Sequence, residues 1–581
     1  MPPFVHHRRA YLTMASHSII AGKDAPLEHS IATLGGLLAG RGFDLEEASW
    51  LNPVAGVWSV HLRDRHCPML YTNGKGATEQ AARASALGEF VERASCHHFW
   101  SHYYLGESRA RRDWVHYPQE RWFPIAGEAW PEGLLDDTLK AFYNPDDAIA
   151  AETLVDLNSG NRERGICALP YTRLSDGETL WFPINLIGNL YVSNGLSAGN
   201  SPREARAQAM SEILERHVKF RVIGEELCLP EVPDSVIDRY PGIRHGIDQL
   251  RDAGYGILVR DASLGGRYPV LCVVLLNPQD HGCYASFGAH PRFAIALERA
   301  LTELLQGRAL DNLAQFPEPS FDSEEVASAE NREIHFVDSS GVIGWRFLAD
   351  TPDHPFCDWQ FSEDNESDYQ WLRNTIEADG FDIYVADFTE LGAYACRVIV
   401  PGMSEIYDVD DLEWENNSVG NLIRPALLDL PALDAQGSAA LLDLIERLGL
   451  ADQRLVAELI GLAPDETSPW KTLRVAELKT LLGLASGHEE TVRAGCHWLH
   501  HFGELPAARR RVYRAVASLL EMGSPDDYAT SLDLLYGRDA VAIARALLSG
   551  ELRHFGLERL GPDMAGSARH TSLLAAFDRL A

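Results

Sequence analysis

Hydrophobic residues follow two different spacings along this chain, and the spacing changes near residue 410. Before that point, short apolar runs rich in β-branched residues, such as residues 270–275, alternate with segments whose apolar residues recur every three or four positions. Beyond Asp411, leucine and alanine recur at helical spacing and strand-like runs disappear. The first pattern predicts an α/β region with mixed sheets, and the second predicts an all-α region. We therefore expect a core over residues 19–410 and a helical domain over residues 411–581.

Glycine residues divide the predicted helical domain into segments of helix-hairpin length. Stacked hairpins of this kind are similar in plan to tetratricopeptide (TPR) repeats, although the TPR signature itself is absent. Domains built in this way commonly bind partner proteins or mediate self-association. We therefore expect a TPR-like helical-hairpin domain and a homodimer.

One strand–turn–helix pattern occurs three times in the core region. Aligned on their glutamates, the three helical segments read SALGEFVER, QAMSEILER and RALTELLQG. Each follows a strand-like run, which we place at residues 68–71, 190–192 and 283–285. The second helix should begin at the tetrapeptide Ser201 to Glu204, which has the pattern of a capping box with proline in the first turn. The repetition predicts pseudo-symmetry inside one domain, because its spacing is too irregular for a solenoid.

The repeated helices carry glutamates at matching positions. These side chains should meet if the three helices pack together, and buried carboxylates repel one another unless cations neutralise them. Carboxylate oxygens without histidine or cysteine favour magnesium, manganese or calcium over zinc. Repulsion within such a cluster would also make the metal-free protein more stable when Glu212 is replaced by glutamine. We predict a magnesium site whose ligands are Glu89, Glu92, Glu212, Glu215 and Glu303.

Basic and amide side chains accompany these glutamates. Arg216 and Arg299 lie beside the carboxylates, and guanidinium groups suit phosphate oxygens. The glycine turns at the helix starts offer backbone N–H groups to an anion. Together these groups predict a magnesium–nucleotide site, although neither of the standard glycine-rich nucleotide motifs occurs. The residues that we assign to ATP are Glu89, Asn200, Glu204, Gln208, Glu212, Arg216 and Arg299.

Simpler explanations exist for parts of this pattern. A single Glu-x-x-Glu-Arg run is typical of a solvated helix face with ion pairs, whereas three aligned copies with apolar flanks are not. Helix capping alone would explain Glu204. Cys96, His97 and His98 follow the first of these helices, and ordinary packing explains them better than a zinc site because no second ligand pair lies nearby in the sequence.

The charge balance restricts the classes of partner. The chain has 51 basic and 84 acidic residues and a formal net charge of −33. This charge argues against free nucleic acid and suits a basic protein or peptide. Nine scattered cysteines without a Cys-x-x-Cys pair are typical of reduced thiols in a cytoplasmic protein. No apolar run approaches membrane-spanning length, and the polar residues 1–18 predict a disordered N-terminal extension rather than a signal peptide.

The three helices carry a signature that resembles the YcaO family. In that family an S-x-x-x-E-x-x-E-R helix is followed by an E-x-x-E-R helix and an E-x-x-Q-x-R segment. All three occur here in that order, and the resemblance extends from about residue 20 to the C-terminus. The matching residues are Ser85, Glu89, Glu92 and Arg93, then Glu212, Glu215 and Arg216, then Glu303, Gln306 and Arg308.

The resemblance implies a function and two further site residues. Members of the family bind ATP with magnesium between these helices and phosphorylate a backbone amide oxygen of a peptide. Lys23 and Ser30 match positions that contact the ATP phosphates in stand-alone members. Those members are described as accessory factors for RimO, the methylthiotransferase that modifies an aspartate of a small-subunit ribosomal protein. The resemblance thus implies an ATP-hydrolysing, amide-activating enzyme whose partner is a RimO-type methylthiotransferase or a ribosomal protein.

Three other functions stay open on the sequence alone. The first is azoline or thioamide formation by a peptide cyclodehydratase, although members with that activity usually end in a proline-rich tail and residues 573–581 contain no proline. The second is a nucleotide-binding scaffold whose helical domain recruits a partner without turnover. The third is a carboxylate-bridged metal hydrolase that uses no nucleotide.

Overall fold

The structure, a computed structural model, describes residues 19–502 and 505–580; the predicted extension over residues 1–18 lies outside the described residues. The strands are β1 Leu45–Val54, β2 Val57–Asp64, β3 Tyr71–Gly76, β4 Arg121–Phe123, β5 Ile166–Arg173, β6 Thr179–Pro183, β7 Leu196–Gly199, β8 Gly256–Asp261, β9 Val270–Leu276, β10 Cys283–Ala289, β11 Tyr384–Phe388 and β12 Tyr394–Ile399. The helices up to residue 410 are α1 Leu27–Gly40, α2 Glu79–Ser95, α3 Glu107–Ala110, α4 Asp137–Tyr143, α5 Ile184–Leu190, α6 Pro202–Gly224, α7 Asp234–Ile237, α8 Pro241–Asp252, α9 Phe293–Leu304, α10 Ser323–Ala327, α11 Ala329–Val337 and α12 Asn365–Ala378. The later helices are α13 Asp411–Trp414, α14 Gly420–Leu427, α15 Ala435–Arg447, α16 Val456–Ile460, α17 Val475–Ser486, α18 Glu489–His501, α19 Ala507–Glu521, α20 Ala529–Tyr536, α21 Arg538–Ser549 and α22 Ala568–Phe577.

The strands form three sheets, and the predicted mixed α/β class is confirmed. Two sheets have three strands each, in the orders β1-β2-β3 and β10-β9-β8. The third has six strands in the order β4-β5-β11-β12-β7, with β6 paired to β5. All pairings between these strands are antiparallel, so the sheets are not of mixed direction. Short connections such as those between β1, β2 and β3 favour this arrangement, because parallel neighbours need a long crossover.

Two of the sheets belong to a repeated α–β–β–β–α unit. The first copy contains α1, β1–β3 and α2, and the second contains α8, β8–β10 and α9. In each copy the final helix packs on the last strand. The hydroxyl of Thr72 donates to the carbonyl of Ala86 at 2.9 Å, and the hydroxyl of Ser286 donates to the carbonyl of Ala300 at 2.8 Å. Since both carbonyls lie three residues before an aligned glutamate, the two copies place those glutamates equivalently over their sheets.

A glycine in each unit allows the helix to lie directly on the strand. A Cβ atom added at Gly74 would lie 2.1 Å from the carbonyl oxygen of Ala82. A Cβ atom added at Gly288 would lie 2.4 Å from the backbone nitrogen of Ala300. Only a residue without a side chain permits this approach. The two glycines therefore set how closely α2 and α9 sit against their sheets.

The third glutamate helix, α6, has a related setting with a different chain order. Helix α12 leads into β11, the strands lie in the order β11-β12-β7, and α6 follows β7. The predicted strand at residues 190–192 is wrong, because these residues end α5 and form the turn after it, and the strand is β7. A short apolar run cannot distinguish a buried helix end from a strand by periodicity alone.

Beyond residue 410, the described residues contain helices, and no strand is assigned among them. Helices α17, α18 and α19 pack one against the next around buried residues such as Trp470 and Tyr513. The final helix, α22, returns to the core, where the indole of Trp100 donates to the carbonyl of Leu573 at 2.9 Å. Within the described part of the chain, we find no helix long and apolar enough to cross a membrane.

Candidate functional site

The three glutamate helices are connected by ion pairs at one locus. We call this locus the glutamate cluster. Its acidic members are the five glutamates predicted from the sequence, and basic side chains lie between them. The basic members are Lys75, Arg93, Arg216 and Arg299.

Arg299 joins helix α9 to helix α6. Its guanidinium donates to the side-chain oxygen of Gln208 at 2.7 Å. The same guanidinium lies 3.8 Å from the carboxylate of Glu212 and 3.8 Å from that of Glu215. Gln208 in turn donates to Glu212 at 2.7 Å. The structure thus brings together three residues that the sequence assigns to ATP and Glu215, which it assigns to the metal.

Arg216 holds the other side of Glu212. Its guanidinium lies 3.7 Å from that carboxylate and donates to the side-chain oxygen of Asn194 at 2.8 Å. The guanidinium carbon also lies 5.0 Å from the ring centroid of Phe336. Burial acts to raise the pKa of Glu212, but Arg216 and Arg299 outweigh burial and hold the pKa below its ordinary value. The ionised form of Glu212 is therefore favourable in the metal-free protein. This pairing argues against the expectation that Glu212→Gln stabilises the metal-free protein, because both arginines that the sequence placed near the cluster are within 3.8 Å of this carboxylate.

Glu89 and Glu303 are also paired with basic residues. Arg93 lies 2.5 Å from Glu89 on the same helix, and Lys75 at the end of β3 contacts Glu303. Lys75 also donates to Gln306 at 3.1 Å. Burial raises the pKa of Glu89 in spite of the neighbouring Arg93 and Lys75. Lys75 therefore connects the strand before α2 to the glutamate of α9.

Glu92 differs from the other four glutamates. Among the described residues, no lysine or arginine forms an ion pair with its carboxylate within 4.0 Å. Burial raises the pKa of Glu92 well above its ordinary value, and the negative charges of Glu212 and Glu89 raise it further. Arg93 and Arg216 offset these effects only in part, so this carboxylate is the least compensated member of the cluster.

A second polar network lies at the start of α6. The carboxylate of Glu204 accepts hydrogen bonds from the backbone of Asp24 at 2.8 Å and from Asn200 at 3.0 Å, and Lys23 lies 3.3 Å away. Ser30 donates to Asn200 at 2.8 Å. The structure thus connects Lys23, Ser30, Asn200 and Glu204, which the sequence assigned to ATP on separate grounds.

The predicted start of α6 is partly correct. Ser201 caps the helix by accepting from the backbone of Glu204 at 3.1 Å, and Pro202 is its first residue. In a capping box the Glu204 carboxylate would return to the backbone of Ser201. Here it binds Asp24 and Asn200 across to the α1 region instead. Capping therefore does not account for the Glu204 side chain.

The donor set of the glutamate cluster fits a magnesium–phosphate ligand. Across residues 19–502 and 505–580, no three His, Cys, Asp or Glu side chains form a ready-made metal site, since lysine and arginine lie between the carboxylates. Two groups among the described residues nevertheless lack direct partners: Glu92 has no ion pair within 4.0 Å, and the buried Nε of Arg299 has no hydrogen-bond acceptor. A divalent cation and an anionic oxygen are the species that would satisfy these two groups.

Sequence analysis missed several residues of these networks. Lys75, Asn194 and Phe336 contact the predicted site residues but lie outside the repeated motif. Lys75 had a usable signal, because it stands between two glycines just before the first glutamate helix. Asn194 and Phe336 had none, since their positions depend on how distant segments pack.

Comparison with known proteins decides the family. The model described as YcaO cyclodehydratase, ATP- and Mg²⁺-binding, matches residues 73–404. The chain belongs to the YcaO family. The description of the family names ATP and Mg²⁺, the two cofactors predicted from the sequence. A second model, the YcaO cyclodehydratase C-terminal domain, matches residues 420–581.

Two full-length relatives and one solved structure are similar to this YcaO chain. It is 48% identical to the ribosomal protein S12 methylthiotransferase accessory factor YcaO of Escherichia coli, over 97% of this chain and 98% of that protein. It is 46% identical to an uncharacterized protein of Haemophilus influenzae, over 98% of each. The structure of YcaO from Methanopyrus kandleri bound with AMPPCP and Mg²⁺ is 18% identical with a TM-score of 0.43, covering 67% of this chain and 95% of that one.

Proposed function

We propose that this protein binds magnesium–ATP at the glutamate cluster and transfers the γ-phosphoryl group to a backbone amide oxygen of a peptide or protein. The observation that carries the proposal is the cluster itself. Five glutamates from three helices are interleaved with basic side chains. Among the described residues, Glu92 has no direct ion pair and the Nε of Arg299 has no hydrogen-bond acceptor. Membership of a family described as ATP- and Mg²⁺-binding supports the same assignment.

The residues have separate roles in this proposal. Magnesium–ATP would supply the phosphoryl group and the charge that offsets the carboxylates. Glu92, Glu212 and their neighbours Glu89, Glu215 and Glu303 would hold the metal through oxygen ligands. Arg216 and Arg299 would bind phosphate oxygens, since both guanidinium groups already face the cluster.

The second network would hold another part of the nucleotide. An ion pair and hydrogen bonds connect Lys23, Ser30, Asn200 and Glu204. Glu204 lies one turn before Gln208 on α6, whereas Lys23 and Ser30 come from the region of α1. Lys23 adds a cation and Ser30 a hydroxyl, both of which suit phosphate oxygens. We place this network beside the cluster as the second half of one ATP site.

We further propose that the protein assists a RimO-type methylthiotransferase acting on a ribosomal protein. The full-length similarity to the Escherichia coli accessory factor supports this role. In this proposal residues 19–410 form the ATP-binding core and residues 411–581 form a TPR-like domain that binds partners and supports a homodimer. The negative net charge of −33 suits a basic ribosomal protein in the cytoplasm.

Calorimetric titration of magnesium–ATP tests the proposed site. Glu212→Gln should weaken binding by at least about tenfold, because one charged oxygen ligand is lost while the side-chain shape is kept. Glu225→Gln is the matched control, since Glu225 follows the same helix and its ion pair with Arg221 is exposed. Equal affinities for wild type and Glu212→Gln would reject the cluster as the binding site.

Phosphate release distinguishes an enzyme from a scaffold. We expect wild type to hydrolyse ATP with magnesium, and Glu212→Gln to lose this activity. Tight binding without phosphate release, in the presence or absence of RimO and its ribosomal substrate, would reject phosphoryl transfer and favour the scaffold. Mass spectrometry of the methylthio-modified ribosomal protein in a deletion strain tests the cellular role, because an accessory factor should be needed for full modification.

A further inference from the structure

A cavity of about 70 Å³ lies at the C-terminal end of α2. It begins at Cys96, three residues beyond Arg93 of the glutamate cluster. Side chains from α5, β5, β12 and the final helix α22 complete its wall. The apolar part of the wall includes Leu105, Leu169, Ile184, Ile187, Phe388 and Phe577.

Four of the lining side chains carry buried polar atoms without partners. Tyr117 is 4% exposed and Tyr171 is 0% exposed, and neither hydroxyl forms a hydrogen bond. The Nδ1 atoms of His97 and His98 are also buried without partners. All four side chains line the same cavity. A buried polar atom without a protein partner is costly, so four of them around one space mark a site that water or a polar ligand fills.

A buried cation completes the lining. Arg397 is 6% exposed and donates to the carbonyl of Val192. In the described part of the chain, no carboxylate forms an ion pair with Arg397. The described lining contains no carboxylate, and Asp156 behind it is already paired with the lining residue His116 at 3.1 Å. A buried guanidinium without a counter-ion is unfavourable unless an anion joins it.

The titratable groups in the lining itself add no negative charge, although Glu92 and Glu390 lie near Cys96 outside it. Burial lowers the pKa of His97 to about 3 and that of His98 well below its ordinary value, so both rings are neutral and each can donate or accept. Burial raises the pKa of the Cys96 thiol well above its ordinary value, which keeps it uncharged. The cavity therefore presents the charge of Arg397, the charge of His116 that Asp156 balances, and neutral hydrogen-bonding groups.

We propose that this cavity is a binding site for a small carboxylate, held by Arg397 and by the hydroxyls of Tyr117 and Tyr171. A carboxylate is planar, matches the guanidinium fork and accepts several hydrogen bonds at once. The small volume restricts the ligand to a carboxylate with few additional atoms, either a free acid or the side chain of an acidic residue. This site is separate from the proposed ATP site and does not depend on it.

Calorimetric titration of the nucleotide-free full-length protein with sodium acetate tests the proposal. Acetate should bind the wild type, and acetamide, which has the same shape without the charge, should bind at least about tenfold more weakly. Sodium chloride at equal ionic strength is the reference for a non-specific salt effect. Absence of acetate binding, or equal binding of acetate and acetamide, would overturn the proposal.

Substitutions then locate the bound acetate. Tyr171→Phe removes an unpartnered hydroxyl, so the fold should be unaffected while acetate affinity falls about tenfold. Tyr255→Phe is the matched control, because its hydroxyl donates to the carbonyl of Leu310 at 2.8 Å away from the cavity. It should cost stability without changing acetate affinity. Unchanged acetate affinity in Tyr171→Phe would reject the cavity as the site.

A second titration distinguishes the two sources of the carboxylate. If N-acetylglutamate N-methylamide binds as well as acetate and its glutamine counterpart does not, the ligand is an acidic side chain. If acetate alone binds, the ligand is a free small acid. Because these measurements contain no nucleotide, they succeed or fail independently of the ATP titrations.

Discussion

The glutamate cluster and the carboxylate cavity lie along the same helix, α2, yet they differ in how their polar groups are satisfied. In the cluster, four of the five glutamates contact lysine or arginine, so most of its charge is compensated within the protein. In the cavity, two tyrosines and two histidines have buried atoms without partners beside an unpaired arginine. Ion pairs within the protein hold the glutamate cluster together, whereas the cavity is lined by polar groups that lack hydrogen-bond partners.

This difference predicts opposite responses to the loss of a polar group. Removing a charge from the cluster leaves a partner behind, whereas removing a hydroxyl from the cavity leaves nothing unpaired. At a position whose side chain is paired within the protein, a substitution should therefore change both the stability of the ligand-free protein and its affinity for ligand. At an unpaired position, the two quantities should change independently. The following substitutions examine this contrast from the largest expected effect to the smallest.

Asp156→Asn should have the largest effect, because it breaks the buried charged pair at the cavity wall. Burial lowers the pKa of His116, but the nearby Asp156 outweighs burial and raises it. Burial likewise raises the pKa of Asp156, but His116 outweighs burial and lowers it. The raised His116 pKa stabilises the fold fully below about pH 6.5, and this contribution is lost as pH rises through the folded-state pKa. The lowered Asp156 pKa contributes above about pH 4.

We therefore expect Asp156→Asn to lower the free energy of unfolding by about 3 kcal/mol at pH 6 and by less at pH 9. Urea unfolding at both pH values measures the difference. A loss that is the same at pH 6 and pH 9 would show that hydrogen bonding to Ser159, rather than the charged pair, accounts for the role of Asp156.

Gly74→Ala should affect both sites at once. The new Cβ would meet the backbone of α2, and the helix must move away from β3, which we expect to cost about 2 kcal/mol. Because α2 supplies the cluster and ends at the cavity, the affinities for magnesium–ATP and for acetate should both fall. Gly88→Ala is the control on the same helix, since nothing lies within 4 Å of its added Cβ. It should be neutral or stabilising by up to about 1 kcal/mol.

Glu92→Gln and Glu212→Gln should have small effects of opposite sign on the metal-free protein. The raised pKa of Glu92 means that its ionised form is disfavoured in the folded state, so at pH 8 Glu92→Gln should raise the free energy of unfolding by about 1 kcal/mol. The lowered pKa of Glu212 means that Glu212→Gln should reduce it by about 1 kcal/mol. Melting in EDTA compares them, and stabilisation by both substitutions would show that repulsion dominates the whole cluster.

Magnesium–ATP should then reverse the ranking of Glu92→Gln against wild type and widen the deficit of Glu212→Gln. Both substitutions remove a carboxylate ligand, so both should reduce the extra stabilisation that the ligand gives. Glu92→Gln would be more stable than wild type in EDTA and less stabilised by the ligand. Retention of the full ligand-induced shift in Glu92→Gln would remove that residue from the metal site.

The glutamate cluster could be predicted from the sequence because its members lie on helices at regular spacing. Glu212 and Glu215 of α6, with Gln208 one turn earlier, follow from local periodicity, and the alignment of three segments added Glu89, Glu92 and Glu303. The start of α6 was predictable for the same reason, since Ser201 and Pro202 act within a few residues of themselves. The strand before α6 was not, because residues 190–192 and β7 differ in tertiary environment rather than in local pattern.

Only the tertiary structure decided how these groups are compensated. Arg299 comes from α9 to Glu212 on α6, and Lys75 from β3 to Glu303 on α9, across separations that no local pattern records. The cavity depends still more on packing, because Tyr117, Tyr171, Arg397 and Phe577 come from distant parts of the chain. Periodicity determines which residues share a helix face, since backbone geometry repeats locally. Which charges pair and which polar atoms stay unpaired depends on long-range packing, and on this chain that packing separates a compensated acidic site from an uncompensated basic one.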